Sequence, residues 1–435
     1  MSTLPRKWPR GPKNKLHKAA KAGSAARTTA LLASGSIDID EGDPDGWTPL
    51  IFAAGMGHSK VVLILLENGA NLSVAANDDL TALLVSAQGG HLEATTILIK
   101  AGADLAAVDA RGATSLHRAA CQGCPKVVKA LVEAGADVDC RMCDGATALF
   151  AAAHQGHAAA VRVLLRANAN PVLPSANSAR RSFPPLSVAA LNGHSDTVRE
   201  FVQEVGIDRC GGASSCVGAL RLASEGQYVD TMAILLGAGV SDTGEALMIA
   251  AGYGREASVK FLLEELESEP ARRSAYASAR GSYGRTPLIT SIDAGGGRPC
   301  SLRVVRMLLN AGADTASTIT FKTMEGFVVH NVTPLAFTTN ILRDKKIGEK
   351  PATEEQLSQL QVVRRLFLQE EAIHASSWLW QHDVLRGTRP ADGARSASKA
   401  VPASTSLRMT LPIQRRRAKR RDVVLLALFR HSEKT

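Results

Sequence analysis

Asp45-Gly46-Trp47-Thr48-Pro49-Leu50, followed by Ala53-Ala54, Gly57-His58, Val61-Val62, Leu65-Leu66 and Gly69-Ala70-Asn71, decides the fold because it recurs. Leu50, Leu83, Leu116 and Leu149 stand 33 residues apart, each two positions after Thr48, Thr81, Thr114 and Thr147. A paired apolar site keeps the same interval at Leu65-Leu66, Leu98-Ile99, Leu131-Val132 and Leu164-Leu165. Four positions beyond the first member of each pair come Gly69, Gly102, Gly135 and Asn168. Glycine adopts positive φ freely and asparagine tolerates it, so these positions read as left-handed helix stops.

Each unit therefore reads as helix, turn, helix, stop. Thr48 can cap a first helix with Pro49 at its first position, and small residues such as Ala53 and Ala54 let a neighbour approach closely. The chain turns at Gly57-His58, Gly90-His91 and Gly156-His157, and a second helix carries Val61, Val62, Leu65 and Leu66 at helical spacing. Neither helix can bury its apolar stripe alone, so the units must stack. On these residues the chain resembles the ankyrin-repeat family. The resemblance implies an all-α solenoid of stacked helix-turn-helix units with short β-hairpin loops projecting sideways between them.

The regular units cover residues 41–174 and an N-terminal unit covers 13–40 through Leu16, Ala19-Ala20, Leu31-Leu32 and Gly35. After Leu149 the first-helix leucine recurs irregularly at Leu186, Leu220, Leu247, Leu288 and Leu335, with insertions near 174–183, 267–283, 315–331 and 341–353. Thr353 and Gln356 form a capping-box start for a last helix carrying Leu357, Leu360, Val363 and Phe367. The repeat domain thus spans 13–372 with about ten units, irregular at 175–372. Residues 1–12 read as a basic tail, 373–386 with Trp378, Leu379 and Trp380 as a C-terminal cap, 387–410 as a flexible linker, and 411–435 as a second basic tail.

Four hundred thirty-five residues allow a sizeable core, but aromatics are only 4%, so the core must be aliphatic and rich in alanine. The longest apolar runs, Val61 to Leu66 and Val423 to Phe429, are too short to cross a bilayer. The first ten residues are basic and lack the apolar stretch of a secretory signal. Seven cysteines, an odd number, do not read as a disulfide framework and favour an intracellular, reducing compartment, cytoplasmic or nuclear. The formal charge of +10 comes from the ends: residues 1–27 carry eight cations and no acid, and residues 411–435 a net +6, which leaves the body at −4. A slightly acidic body lacks the positive field of a nucleic-acid groove, so nucleic acid is a partner for the tails alone. The run Arg415, Arg416, Arg417, Lys419, Arg420, Arg421 has the character of a nuclear-import signal, with a solvated basic tail as the alternative. The acid-free N-terminus also has the composition of an organelle transit peptide, but Leu16 to Gly35 already serves as a repeat.

Cys121-Gln-Gly-Cys124 and Cys140-Arg-Met-Cys143 have the spacing of a four-thiolate zinc site. The register argues against it. Cys124 falls at the inter-helix turn and Cys140 and Cys143 in the hairpin, at opposite ends of a helix ~12–15 Å long. Cys210 and Cys216 flank a glycine-rich stretch that reads as a plain loop, with oxidation of the pair as the alternative. His58, His91, His157 and His194 recur at one place in the unit, which gives them a structural role. The sequence contains no Walker A loop, His-Glu-x-x-His, Gly-x-Ser-x-Gly or kinase motif, and Gly295-Gly296-Gly297 lacks the strand of a dinucleotide fingerprint. We therefore expect no catalysis, cofactor or metal.

The resemblance implies protein binding through the hairpin tips and the concave face of the first helices. By register the tips are Asp45, Asp78, Arg111 and Asp144, with Trp47, Leu80, Ala113 and Ala146 beside them. The concave positions are Phe52, Val85, Arg118 and Ala151, with Phe52 as an exposed apolar anchor. The chain thus reads as a monomeric, non-catalytic scaffold or adaptor for partner proteins. The alternatives are a nucleic-acid or chromatin-associated factor using its basic tails and an enzyme with an unrecognised site in 174–372.

Overall fold

Thr48, Thr81, Thr114 and Thr147 each begin a first helix by accepting a hydrogen bond from the backbone N–H three residues on, at Ile51, Leu84, His117 and Phe150. The computed structural model describes residues 14–35, 37–176, 182–242, 244–265, 269–281, 285–292, 301–316, 319–322, 328–344, 346–347, 350–351 and 353–385. The N-terminal tail, the linker at 387–410, the basic tail with Arg415 to Arg421, and Gly295 to Gly297 lie outside them.

The helices come in pairs. They are α1 (Lys15–Lys21) with α2 (Ala25–Ala33), α3 (Pro49–Gly55) with α4 (Ser59–Glu67), α5 (Ala82–Gln88) with α6 (Leu92–Lys100), α7 (Ser115–Cys121) with α8 (Pro125–Glu133), and α9 (Ala148–Gln155) with α10 (Ala158–Arg166). There follow α11 (Pro185–Leu191) with α12 (Ser195–Arg209), α13 (Gly212–Gly226) with α14 (Val229–Gly237), and α15 (Glu245–Gly252) with α16 (Glu256–Glu264). Helix α17 (Pro270–Ala277) occupies the insertion at 267–283 and precedes α18 (Pro287–Ile292), α19 (Leu302–Asn310), α20 (Pro334–Asp344) and α21 (Glu354–Leu385). First helices pack on first helices, α1 on α3 on α5 on α7 on α9 on α11, and second helices on second helices, α2 on α4 on α6 on α8 on α10 on α12. The expected all-α stack is therefore what forms. Contacts divide the chain at Ser377/Trp378, and the stack lies in the first part.

Small and aliphatic residues fill the core, as the composition requires. Leu50, Leu83, Leu116 and Leu149 are buried, as are Leu65, Leu98, Leu131 and Leu164. The second helices stop where left-handed residues were expected: Gly69, Gly102, Gly135 and Asn168 all have positive φ, Asn168 at 62°. The turn glycine has a further reason. A Cβ on Gly57 would lie 2.4 Å from Nδ1 of His91 in the next unit, so only glycine leaves room for that ring. His91 Nε2 then donates to the carbonyl of Gly55, and His58, His157 and His194 donate to the carbonyls of Lys21, Cys121 and His154. These recurring histidines thus tie each unit to the end of the preceding first helix. Cys124 takes that turn position in the fourth unit, its Sγ against Gly90.

The connections between the regular units are closed by backbone bonds from Asp43 N–H to Trp47, Ala76 to Leu80, Asp109 to Ala113 and Met142 to Ala146, at 2.9–3.1 Å, and in three of them the hairpin glycine (Gly46, Gly112, Gly145) also donates back to Asp43, Asp109 or Met142. Paired strands form at the insertions instead: β1 (Ser175–Ala176) with β2 (Ser182–Phe183), β3 (Ile319–Lys322) with β4 (Val328–Val332), and β5 (Lys346–Ile347) with β6 (Lys350–Pro351). The capping box at α21 is complete, Thr353 N–H donating to Gln356 Oε1 and Gln356 N–H to Thr353 Oγ1. Among the described residues no helix is long and apolar enough to cross a membrane.

Candidate interaction surface

The tips of consecutive hairpins are joined backbone to backbone. Asn77 N–H donates to Asp45 O, Ala110 N–H to Asp78 O and Cys143 N–H to Arg111 O, at 3.0, 3.1 and 3.0 Å. This row fixes the spacing of Asp45, Asp78, Arg111 and Asp144 without relying on side chains. Asp78 and Arg111 are exposed, and Asp45 and Asp144 are half-buried.

The residues behind the tips differ from expectation. Phe52 is not an exposed anchor: its side chain is fully buried. The physical reason is the N-terminal unit, which covers it. The His17 ring meets Phe52 edge-on at 5.8 Å, the Trp47 ring lies 5.3 Å from it, and the Lys21 ammonium sits 5.7 Å from its centroid. Trp47, Leu80 and Val85 are buried too, as is Ala151, so these positions supply packing. Only Arg118 among the concave positions keeps part of its side chain at the surface.

Arg118 is held from two neighbouring elements. Its Nη1 donates to Gln88 Oε1 on α5 at 2.8 Å, and its Nη2 forms an ion pair with Asp109 Oδ2. The Asp109 carboxylate is nearly inaccessible, 1% exposed against 12% for Arg118, and its Oδ1 accepts the N–H groups of Arg111 and Ala113 at 2.8 Å each. Burial works to raise the Asp109 pKa. The Ala113 N–H, the Arg118 charge and the Arg111 N–H outweigh it and hold the carboxyl below its ordinary value. Asp43 repeats the motif in the second unit, accepting the N–H groups of Asp45 and Trp47. Asp43 and Asp109 were not singled out from the sequence, although an aspartate three residues before the hairpin glycine, at Asp43/Gly46 and Asp109/Gly112, is the signal that finds them.

Beside Arg118 lies a cavity of about 260 Å³, lined by Ala110, Arg111, Ala113, His117, Arg118, Cys121, Gln122, Met142, Cys143 and Asp144. His117 is buried in its wall: Nε2 donates to the Ala146 carbonyl at 3.2 Å and Nδ1 accepts the Thr114 N–H at 3.2 Å. Burial pushes its pKa below the ordinary histidine value, against the carbonyls of Ala146 and Cys140, so the ring is neutral. Burial also raises the thiol pKa of Cys121 and of Cys124. Cys121 and Cys143 line the cavity, whereas Cys124 lies in the inter-helix turn. Among the described residues no group of three or more Cys, His, Asp or Glu could hold a metal ion. Cys210 caps the C-terminus of α12 and Cys216 lies within α13, so the stretch read as a glycine-rich loop is helical from Gly212; both are buried, free thiols.

The profile of the family described as Ankyrin repeats (3 copies) matches residues 8–76, 72–142, 135–210 and 219–319, more than half of the chain. Among curated proteins, the chain is similar to Ankyrin repeat, SAM and basic leucine zipper domain-containing protein 1 of Saimiri boliviensis boliviensis, Callithrix jacchus and Homo sapiens. Identity to each is 41% over 61 residues, which is 14% of this chain and 13% of the relative. The chain therefore matches only a small part of the length of these relatives.

Proposed function

We propose, from the premise that this chain belongs to the ankyrin-repeat family, that it is a non-catalytic scaffold that captures a partner protein on the row of hairpin tips. Ankyrin repeats are in general protein-interaction modules. The observation that carries the reading is the backbone linkage of the tips, which ties Asp45 to Asn77, Asp78 to Ala110 and Arg111 to Cys143. A surface held this way loses little conformational freedom on association, so contact energy is not consumed in ordering it. Asp45, Asp78, Arg111, Arg118 and Asp144 are the residues that offer polar contacts there. Their charges, negative at 45, 78 and 144 and positive at 111 and 118, favour a partner segment that carries both signs, and select against one with the same order of charges.

The test is affinity capture with the full chain and with an Asp78→Arg/Arg111→Glu variant. Both residues are exposed, but Asp78 sits at φ 63°, which arginine adopts less readily than aspartate, so the variant is compared with the unaltered chain at equal folded fraction, checked by circular dichroism and urea midpoint. Loss of a partner that the unaltered chain retains supports the reading. Equal recovery of every partner by both proteins moves the binding surface elsewhere.

A further inference from the structure

The cavity beside Arg118 exists because of what the repeat omits. Register places Ala113 where the second unit has Trp47 and the third has Leu80, Arg118 where it has Phe52, and Cys121 where it has Gly55. In the second unit the Trp47 ring lies against both counterparts, 5.3 Å from the Phe52 ring and with Cζ3 3.7 Å from the place a Cβ on Gly55 would take. The indole thus occupies the space between hairpin and first helix. In the fourth unit Ala113 leaves the same space bounded by Arg118 and Cys121, and both line the 260 Å³ cavity.

We infer that this cavity takes one large aromatic side chain of a partner segment, an indole or phenol, in the place that Trp47 fills within the chain itself. The inference rests on the interaction reading above and names the chemistry of the anchor. The volume is below the ~300–1,000 Å³ typical of sites for drug-sized ligands and suits a single side chain. Arg118 lines the cavity with its guanidinium already fixed by Asp109 and Gln88 and its Nε buried without a partner, so it meets a ring face as a preorganised cation. Asp144 on the lining can accept an indole N–H or phenol O–H, the polar handle that favours Trp and Tyr over Phe or Leu. An acidic anchor gains little, because Asp109 already answers Arg118 and the Asp144 carboxylate offsets Arg111 in the wall.

Cys143 is exposed and lines the cavity, which supplies the assay. Three small disulfides carrying an indole, an isobutyl group or a carboxylate on the same thiol arm are equilibrated with the full chain in excess small-molecule thiol. The Cys143 thiolate attacks the probe disulfide and one thiol leaves, with no net redox change, so intact-mass occupancy reports non-covalent affinity. The indole probe is expected to exceed the other two about tenfold, which is ~1.4 kcal/mol of preference. Cys143→Ser should abolish its capture. Ala113→Trp should fill the space and erase the preference, and Ala113→Leu, which follows Leu80, does the same with a smaller group should the first fail to fold. An indole probe no better than isobutyl, a preference for carboxylate, or a preference that survives both Ala113 variants overturns the proposal. If the preference is absent while Asp78→Arg/Arg111→Glu still loses its partner, the cavity assignment falls and the interaction reading stands. A preference that is present while capture is unaffected has the reverse meaning.

Discussion

Replacing Asp109 with alanine should destabilise the middle of the stack more than replacing the arginine it pairs with. The carboxylate accepts two backbone N–H groups at 2.8 Å and the Arg118 guanidinium, and is 1% exposed. Asp109→Ala removes all three acceptor bonds and leaves Arg118, only 12% exposed, with Gln88 as its remaining partner. Breaking a buried pair from one side costs about 3–5 kcal/mol. Arg118→Phe is a different case, because the chain already contains its product: Asp43 holds the Asp45 and Trp47 N–H groups with Phe52 at the arginine's register position. Its Oδ2 is buried without a hydrogen-bond partner. That substitution should cost less, about 1–3 kcal/mol for one under-satisfied buried oxygen, because two backbone N–H groups still hold the carboxylate. Urea unfolding followed by circular dichroism gives the ranking, and hydrogen exchange of peptides across 105–121 places the loss in the hairpin and α7. Equal costs, or a larger cost for Arg118→Phe, would refute the reasoning that the aspartate closes the hairpin and the arginine is secondary.

Acid should weaken the fold through its buried histidines. Burial, complete at His17 and His117 and partial at His154, holds all three below the ordinary value of 6.5, so the unfolded chain takes up protons that the folded one resists. Their contribution is complete well above 6.5 and declines as pH falls through 6.5 toward the folded values, so the urea midpoint should drop between pH 7.5 and 5.5, less in a His17→Asn/His117→Asn chain. A midpoint that stays flat in the unaltered protein contradicts the neutral, buried rings. Gly57→Ala should cost about 2 kcal/mol, since a positive φ and the His91 ring both oppose it, whereas Gly135→Asn, with open space around it and Asn168 as precedent, should cost well under 1 kcal/mol in thermal melts. The purified chain should carry no stoichiometric zinc by elemental analysis. One zinc per chain, lost on Cys121→Ser, would reverse that.

The 33-residue interval was enough to read the units because each interval position has one physical duty. Leucine at 50, 83, 116 and 149 plugs the core, threonine caps, and Gly or Asn supplies the left-handed stop, and every one of these residues does so. The surface was less legible. Register alone places Phe52 on an open face, but the neighbouring unit decides whether it is open, and α1 with His17 and Lys21 closes it. The cavity was illegible for a related reason. It arises from a missing side chain at Ala113, and an alanine in a repeat rich in alanine gives no signal until Trp47 is seen filling the equivalent space. The buried Asp109–Arg118 pair joins residues nine apart on different elements, a distance that no helical or strand period connects.

Adjacent hairpin tips are fastened to one another through the backbone. Amide hydrogen exchange of the full chain at Asn77, Ala110 and Cys143 tests it most directly, because these three N–H groups donate from one unit to the previous one. All three should be protected by at least about tenfold over an unstructured chain, and protection should fall together when the stack is loosened by Leu131→Ala. Exchange at the unstructured rate at these amides, with the helices still protected, would contradict it.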